Sequence, residues 1–285
     1  KKLYMTVLIT GSSGFIGSNL VQKLNKLNKV FYTIDKVKNP YLKTKNFFKI
    51  NLCDEKKLEK VFKENKINYI IHLAALPGFV SCHNSPSDAF DNNVRATVNV
   101  LNLSLKYNIK KILIASSMGV DNFKNNPSIY GLTKVVCEMY GTTYSKVKKM
   151  NIVNCKLSNV FGQFSNHKNS VVHSFIKKII SNKSIEIHSN GRQKRDFIYV
   201  KDVCDTLLKE LYSKSNRSEL RINTSKFLSI LDLKNCLDNI SNKNNKFRYI
   251  KTPDGYDDNV YKNPSIKIPK KLMKNLELTY NWYKS

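Results

Sequence analysis

Residues 5–17 of the chain read MTVLITGSSGFIG. The apolar run up to Thr10 predicts a buried strand, and the apolar spacing from Ser18 to about Leu27 predicts a helix. The turn between them carries three glycines in a GxxGxxG spacing, which lets the backbone approach a pyrophosphate held at the helix N-terminus. A glycine-rich turn in this setting indicates the strand–turn–helix unit that binds a dinucleotide.

Further units of the same kind follow along the chain. Apolar runs predict strands that alternate with helices, at residues 30–34, 47–52, 68–73, 110–117 and 152–157. This alternation predicts an α/β fold with a doubly wound parallel sheet of the Rossmann type. The alternation ends after Gly162. We therefore expect a dinucleotide-binding domain over residues 1–162 and a smaller α/β substrate domain over residues 163–285, from which a segment at about 193–215 returns to the large sheet.

Asp35 ends the second predicted strand, near the spacing of about 20 residues at which a carboxylate follows such a glycine-rich turn. A carboxylate there accepts hydrogen bonds from the ribose hydroxyls of an adenosine and repels a 2′-phosphate. This favours NAD over NADP as the cofactor, although Lys36 next to it acts in the opposite direction. The alternative interpretation of Asp35 is a turn residue at a strand end.

Tyr130 and Lys134 lie four residues apart in the stretch YGLTK, and on a helix that spacing puts both side chains on one face. Ser117 ends an apolar strand, at the sheet edge where open α/β sheets bind their ligands. A cation near a phenol favours the phenolate, so the three residues predict a general base for an alcohol. The alternative is a half-buried helical tyrosine beside a solvated lysine, because a YxxxK match alone is a weak signal.

The composition is strongly basic. The 285 residues carry 49 Lys and Arg against 21 Asp and Glu, a formal net charge of +28. Nucleic-acid binding is one explanation of such a charge. The lysines are dispersed and no aromatic-and-basic RNA-binding signature is present, so we expect no nucleic-acid partner. A positive field would still attract a substrate that carries phosphate.

The cysteines and the lengths of the apolar runs indicate the cellular compartment of the protein. The six cysteines form no CxxC pair, so we expect reduced thiols and no metal site. No run approaches 18 apolar residues, so we expect no membrane span. The apolar part of the N-terminus is too short for a signal peptide. These features together predict a cytoplasmic protein.

Taken jointly, the motifs resemble the extended short-chain dehydrogenase/reductase family, the NAD-dependent nucleotide-sugar epimerases and dehydratases, and are most like its UDP-sugar 4-epimerases. The resemblance runs nearly end to end. The motifs that carry it are TGSSGFIG (10–17), HLAA (72–75), NNVRATVNVL (92–101), YGLTK (130–134), SNVFG (158–162) and RDFIYVKDV (195–203). It implies a homodimer that pairs through the helices starting near Pro86 and Tyr130.

The resemblance also implies a role for each matching residue. Ser117 and Tyr130 would contact the reacting hydroxyl of the sugar, while Lys134 would hold the nicotinamide ribose and favour the phenolate. Asn159 and Arg195 would bind the diphosphate or nucleotide of a nucleotide-diphosphate sugar. The residues implied to hold NAD are Gly11, Gly14, Phe15, Ile16, Gly17, Asp35, Lys36, Asn51, Leu52, Leu73, Ala74, Ala75, Asn93, Tyr130 and Lys134.

The chain departs from the family pattern in three places. The loop between Ser117 and Tyr130 is short, so we expect one wall of the sugar pocket to be trimmed. Residues 251–255 lack the arginine that many members use for a second phosphate contact, for which Lys251 or Arg248 would have to substitute. Val80 stands where many members have an arginine.

The residues after Ser117 discriminate between activities. The 4,6-dehydratases of the family have an Asp-Glu pair there, whereas this chain has Met118 and Gly119, which cannot transfer protons. The first expectation is therefore a 4-epimerase that oxidises the sugar transiently at C4 with Tyr130 as the base. A nucleotide-sugar 4-ketoreductase or dehydrogenase is the alternative within the family. A non-catalytic NAD-binding sensor stays open as a different class, although a sensor would not need Ser117, Tyr130 and Lys134.

Overall fold

The computed structural model describes residues 6–251 and 268–285. Most of the segment 251–255, for which a missing arginine was noted, lies outside these residues. The chain divides into two units, residues 1–157 with 204–222, and residues 158–203 with 223–285.

A seven-stranded parallel sheet forms the first unit. Its strands are β1 (Val7–Thr10), β2 (Phe31–Asp35), β3 (Phe47–Lys49), β4 (Tyr69–His72), β5 (Lys111–Ser117), β6 (Ile152–Leu157) and β10 (Glu219–Ile222). They lie in the order β3-β2-β1-β4-β5-β6-β10, and every neighbouring pair is parallel. The predicted doubly wound Rossmann-type sheet is confirmed. The strand order reverses between β1 and β4, and open sheets of this kind bind ligands outside the carboxyl ends of their strands at such a switch point.

Helices connect the strands of this unit. They are α1 (Phe15–Lys26), α2 (Glu55–Glu64), α3 (Phe79–Asn84), α4 (Pro86–Ala89), a π-helical segment (Phe90–Arg95), α5 (Ala96–Lys106), a 3₁₀ turn (Met118–Asn122), α6 (Ile129–Lys148) and, from Cys204 onward, α8 (Val200–Leu211). The sequence predicts one continuous helix from Pro86 to about Tyr107. The structure divides it, because the π-helical segment inserts wider turns between α4 and α5.

The core of the first unit explains why these segments form these elements. Apolar strand residues such as Leu8, Ile70 and Ile112 are buried on the sheet, and Leu58 and Val100 pack against them from α2 and α5. Burial of these side chains is the main favourable term for the unit.

The start of α6 is set locally. The Ser128 hydroxyl accepts a hydrogen bond from the Gly131 backbone N–H at 3.0 Å and caps the helix. The helix ends at Lys149, which adopts the left-handed conformation. The cap therefore fixes Tyr130 in the first turn, next to the end of β5.

The second unit holds two small sheets. One contains β7 (Asn159–Phe161), β9 (Lys194–Tyr199) and β11 (Phe227–Ser229) in the order β11-β9-β7, and the other pairs β8 (Ile185–His188) with β12 (Phe247–Ile250). Its helices are α7 (Val171–Ile180), α9 (Ile230–Ser241) and α10 (Lys270–Lys284).

The division differs in detail from the one expected from the sequence. The first unit ends at Leu157 rather than at 162. The segment expected to return at about 193–215 returns instead at 204–222. The physical reason is strand pairing: β9 pairs with β7 and β11 in the second unit, whereas β10 pairs with β6 in the large sheet.

Within residues 6–251 and 268–285, none of the helices has both the length and the apolar character that a membrane span requires.

Candidate active site

The glycine-rich turn lies between β1 and α1 and packs closely against the end of β4. Gly11 has φ +69°, and a Cβ atom there would lie 2.6 Å from the Ala74 backbone nitrogen. A Cβ on Gly17 would lie 2.1 Å from the Gly11 carbonyl oxygen. Gly14 caps α1 without a side chain, and the N–H groups of Ile16 and Gly17 in the first helical turn have no intrahelical acceptor. The cradle therefore fits the pyrophosphate of NAD.

Asp35 ends β2 beside this turn. Its Oδ2 accepts a hydrogen bond from the Ser13 N–H at 2.9 Å, and its Oδ1 accepts one from the Val37 N–H at 3.3 Å. A carboxylate has about four acceptor positions, so ribose hydroxyls can still bind. Asp35 thus holds the glycine-rich turn in addition to its predicted role, a contact that spacing alone does not predict.

The Lys36 side chain is oriented by a hydrogen bond to a residue that the sequence did not indicate. Its Nζ donates to the Asn92 Oδ1 in the π-helical segment, and the Asn92 amide donates in turn to the Asp88 carbonyl. The Lys36 ammonium is therefore engaged with the protein in this structure.

The predicted adenine neighbours follow β3. The Asn51 side-chain oxygen accepts a hydrogen bond from the Cys53 N–H at 3.1 Å, and the buried Leu52 accepts one at its carbonyl from Asn99 at 2.9 Å. The half-buried residues Leu73, Ala74 and Ala75 follow β4 directly. Small side chains at 74 and 75 leave room for a cofactor beside the backbone.

Asn93 lies in the π-helical segment and is 1% exposed. Its Oδ1 accepts a hydrogen bond from the Leu76 N–H at 2.6 Å, and its amide donates to the Leu76 carbonyl and to the Thr133 hydroxyl. Asn93 therefore joins the chain beyond β4 to the first turns of α6. It thereby fixes the position of residues 73–75, which are predicted to contact the cofactor, relative to the helix that carries Tyr130.

His72 lies beneath this region and is fully enclosed. Its ring nitrogens contact the hydroxyls of Thr10 at 2.7 Å and Thr97 at 3.0 Å. Burial, with a smaller effect from the Lys134 charge, lowers the pKa of His72 to about 3, so the ring is neutral. It packs β1, β4 and α5 together.

Lys134 bonds to β5 near its carboxyl end, which is Ser117, and lies close to Tyr130. The Lys134 side chain is 7% exposed, its Nζ donates to the Ala115 carbonyl at 2.8 Å, and it lies 5.9 Å from the centroid of the Tyr130 ring. An ammonium has three donors, so two remain for other acceptors. The strand that carries Ser117 therefore also holds the cation beside the phenol.

The Ser117 hydroxyl is oriented by the turn that follows it. Its oxygen accepts a hydrogen bond from the Gly119 N–H at 3.2 Å, so its own hydrogen remains available for donation. The acid of this turn is Asp121, whose carboxylate pairs with Lys156 and Arg221. Partial burial acts to raise the pKa of Asp121, but hydrogen bonds from the two cations outweigh it and hold the pKa below its usual value. Asp121 therefore stays ionised and is a poor proton donor.

The two predicted substrate-binding residues outside this cluster belong to the second unit. Asn159 is exposed on β7 and donates to the Asp196 carbonyl at 3.3 Å. Arg195 is half-buried on β9, and its Nη1 donates to the Lys194 carbonyl at 2.9 Å. The Asp196 carboxylate accepts hydrogen bonds from Thr224 and Ser225, an anchor for β9 that the sequence did not reveal.

A Rossmann-type sheet with a glycine-rich turn, an acid at the end of its second strand and a Ser–Tyr–Lys cluster defines an NAD-dependent enzyme of the short-chain dehydrogenase/reductase class. The family described as the NAD dependent epimerase/dehydratase family matches residues 7–223, and the chain belongs to this family. The resemblance noted from the sequence is confirmed.

Individual relatives are similar over most of the chain. A Methanocaldococcus jannaschii protein provisionally named UDP-glucose 4-epimerase is 33% identical over 246 residues, 80% of this chain and 79% of the relative. The UDP-glucuronate 4-epimerase of Thermodesulfobacterium geofontis is 28% identical over 69% of this chain and 68% of the relative. The UDP-N-acetylglucosamine 4-epimerase of Methanobrevibacter ruminantium, solved with UDP-N-acetylmuramic acid, is 25% identical with a TM-score of 0.86 and covers 98% of each chain.

Proposed function

We propose that the chain is an NAD-dependent nucleotide-sugar 4-epimerase that acts on a UDP-sugar. The observation that carries the proposal is the cluster at the end of β5, where Lys134 is fixed by the Ala115 carbonyl beside Tyr130 and Ser117. Membership of the NAD-dependent family and the UDP-sugar 4-epimerase names of its relatives support it.

Each side chain of the cluster has a separate part in the reaction. Tyr130, as a phenolate, takes the proton of the sugar C4 hydroxyl and later returns it. The Lys134 ammonium stabilises the phenolate and uses its remaining donors on a ribose. Ser117 donates its hydroxyl hydrogen to the C4 oxygen and holds it at Tyr130. NAD, when bound, would supply a reversible hydride acceptor for C4, and inversion requires the oxidised sugar to turn its opposite face to the cofactor before the hydride returns.

The cofactor residues divide by the part of NAD that they would hold. The first-turn N–H groups of α1 suit the pyrophosphate, Asp35 suits the adenosine ribose, and the chain beyond β3 and β4 suits the adenine and nicotinamide sides. Asn159 and Arg195 would hold the diphosphate of the substrate, because a guanidinium forms two parallel hydrogen bonds to phosphate oxygens.

The turn after Ser117 argues for epimerisation over dehydration. Elimination of water from the sugar needs an acid and a base beside the catalytic hydroxyl, and this turn begins with Met118 and Gly119. Asp121 in the same turn is held ionised by its two cations. Oxidation and re-reduction at C4 needs no further proton-transfer group.

The test is incubation of the purified protein with UDP-, GDP-, CDP- and dTDP-sugars, read by NMR for inversion at C4, with Tyr130→Phe as the control. Inversion of a UDP-sugar without net change in the cofactor supports the proposal. Stoichiometric NADH formation would make the chain a dehydrogenase instead. Cofactor binding without any change in the sugars would instead support a non-catalytic NAD-binding sensor.

We also propose that the chain forms a homodimer through α6 and the helices that begin at Pro86. Leu132, Met139 and Val147 are 45%, 63% and 66% exposed, and their spacing puts them along one side of α6. Tyr144 of α6 bonds to Asn102 of α5 at 2.6 Å, so the two helices lie side by side.

Sedimentation at micromolar concentration tests the dimer. We expect a species of twice 32.9 kDa for the wild type and a shift toward monomer for Met139→Lys. Lys148→Glu is the control, because Lys148 is exposed on the same helix but lies nine residues from Met139 and therefore on the opposite side of α6. A wild-type protein that sediments only as a monomer would contradict the dimer.

A further inference from the structure

A closed ring of charges lies beneath the turn that follows Ser117. Lys156 Nζ contacts Asp121 Oδ1 at 2.8 Å and Glu219 Oε2 at 2.7 Å. Arg221 contacts the other oxygens of the same two acids, Asp121 Oδ2 at 2.7 Å and Glu219 Oε1 at 3.2 Å. Glu138 of α6 approaches Lys156 at 3.6 Å from the side. Two cations and two carboxylates therefore alternate around one ring.

The large sheet brings the ring together. Lys156 on β6 is in register with Ser116 on β5 and with Arg221 on β10. Paired residues of adjacent strands point to the same face, so the two cations share the face of Ser116. The Lys156 side chain is 9% exposed, so its contacts are partly shielded from water. Asp121 is the ring member that belongs to the turn.

The ring connects to the catalytic hydroxyl through the backbone. Asp121 lies in the 3₁₀ turn Met118–Asn122, and Gly119 of that turn donates its N–H to the Ser117 Oγ. Arg221 Nη1 also lies 3.8 Å from the Met118 Sδ. The turn that carries Asp121 therefore also places the N–H that the Ser117 Oγ accepts.

We propose that Asp121 is a positioning residue for the reaction. Held by Lys156 and Arg221, it locks the turn 118–122, and the locked turn orients the Ser117 hydroxyl toward the sugar. The inference rests on the proposed function for its kinetic consequence but not for its structural one.

The structural consequence is tested by hydrogen exchange of the holoenzyme. Asp121→Asn keeps the size of the side chain and removes its charge. We expect exchange in peptides covering residues 115–123 to accelerate about tenfold, since the turn opens locally. Glu59→Gln is the matched control, because the Glu59 side chain is 34% exposed against 33% for Asp121 and also pairs with a lysine, far along the sequence from the turn. Equal exchange of this segment in wild type and Asp121→Asn would overturn the inference.

The kinetic consequence is tested with the UDP-sugar that the wild type inverts. We expect Asp121→Asn to lower kcat about 10- to 100-fold, with KM within about twofold, because misplacement of a catalytic group costs rate rather than affinity. Asp121→Glu should recover part of the rate. In the Ser117→Ala background, Asp121→Asn should cost less than about threefold, since residues that act through one another are not additive. Full additivity of the two substitutions, or a kcat equal to that of Glu59→Gln, would overturn the inference.

A second variant covers the case in which Asp121→Asn unfolds. Arg221→Met removes only the outer, half-exposed cation and leaves the Lys156–Asp121 pair. It should accelerate exchange over residues 115–123 and lower kcat in the same direction by a smaller factor, and an unchanged turn would overturn the inference. If the wild type inverts no nucleotide sugar, the proposed function fails, while the exchange measurement still decides whether Asp121 locks the turn.

Discussion

Asp35 should set the preference for NAD over NADP, and the structure shows why asparagine is a better probe than alanine. Alanine would also remove the acceptor of the Ser13 N–H, which holds the glycine-rich turn. Asparagine keeps one acceptor oxygen, which serves the shorter contact from Ser13, and it gives up the longer contact from the Val37 N–H together with the negative charge. A loss in Asp35→Asn therefore reports on the ribose and its substituent rather than on the shape of the turn.

The expected magnitudes follow from charge. A hydrogen bond to a charged group contributes about 1.5–3 kcal/mol, and a neutral amide retains part of it, so the Kd for NAD should rise about tenfold in Asp35→Asn. Loss of the whole side chain in Asp35→Ala should raise it about 100-fold. Two like charges about 4 Å apart repel by about 4 kcal/mol near a protein surface, before salt screening. That repulsion corresponds to about 1,000-fold before screening, and salt reduces it, so removing the charge should lower the NAD preference by about 100-fold or more in either variant.

The assay is titration of both cofactors against wild type, Asp35→Asn and Asp35→Ala, with Glu59→Gln as a control outside the cradle. Melting temperatures of the apo-proteins check the fold. An unchanged NADP to NAD ratio in Asp35→Asn would refute the reasoning. A wild type that prefers NADP would show that Lys36 dominates despite its bond to Asn92.

Three further results are expected. Tyr130→Phe should bind NAD normally and lose turnover by about 10²–10⁴-fold, and a residual rate above about one tenth would remove Tyr130 from the role of base. Arg195→Ala should raise the KM for the nucleotide sugar about 10- to 150-fold and leave the Kd for NAD unchanged. Arg195→Lys should recover the KM only in part, because an ammonium does not form the forked contact. An equal loss of NAD binding in Arg195→Ala would show that the segment has a structural role instead. Burial is the main cause that lowers the pKa values of His72 and His173 to about 3, so the unfolded chain binds more protons below pH 6.5. The free energy of unfolding should therefore be highest above pH 6.5. As the pH is lowered below 6.5, it should decrease by about 1.4 kcal/mol per pH unit for each histidine. A free energy of unfolding in urea that does not change between pH 7 and pH 5 would contradict this.

Local patterns predict the parts of this molecule that depend on neighbours in the chain. The GSSG turn, the acid at the end of β2 and the Tyr130–Lys134 pair each rest on short spacings, and a turn or one helical face converts such a spacing directly into geometry. The start of α6 is equally local, since Ser128 and Gly131 cap it.

Contacts between distant segments could not be predicted in the same way. The pairing of β10 with β6 depends on strand register across about 60 residues, which no local pattern carries. The charge ring could not be predicted from the sequence for the same reason, because Asp121, Lys156 and Arg221 come together only after the sheet has formed. One signal was present: Lys156 interrupts the otherwise apolar end of β6, and a lysine buried in a strand requires partners.

The most direct test of the central claim is the fate of a deuterium label at C4 of the UDP-sugar that the protein accepts. Epimerisation by transient oxidation at C4 predicts an inverted sugar that still carries the deuterium at C4, with no incorporation of hydrogen from the solvent, and no product from Tyr130→Phe on the same time scale. Loss of the label to solvent in an inverted product, or accumulation of the oxidised sugar with labelled NADH, would contradict the account.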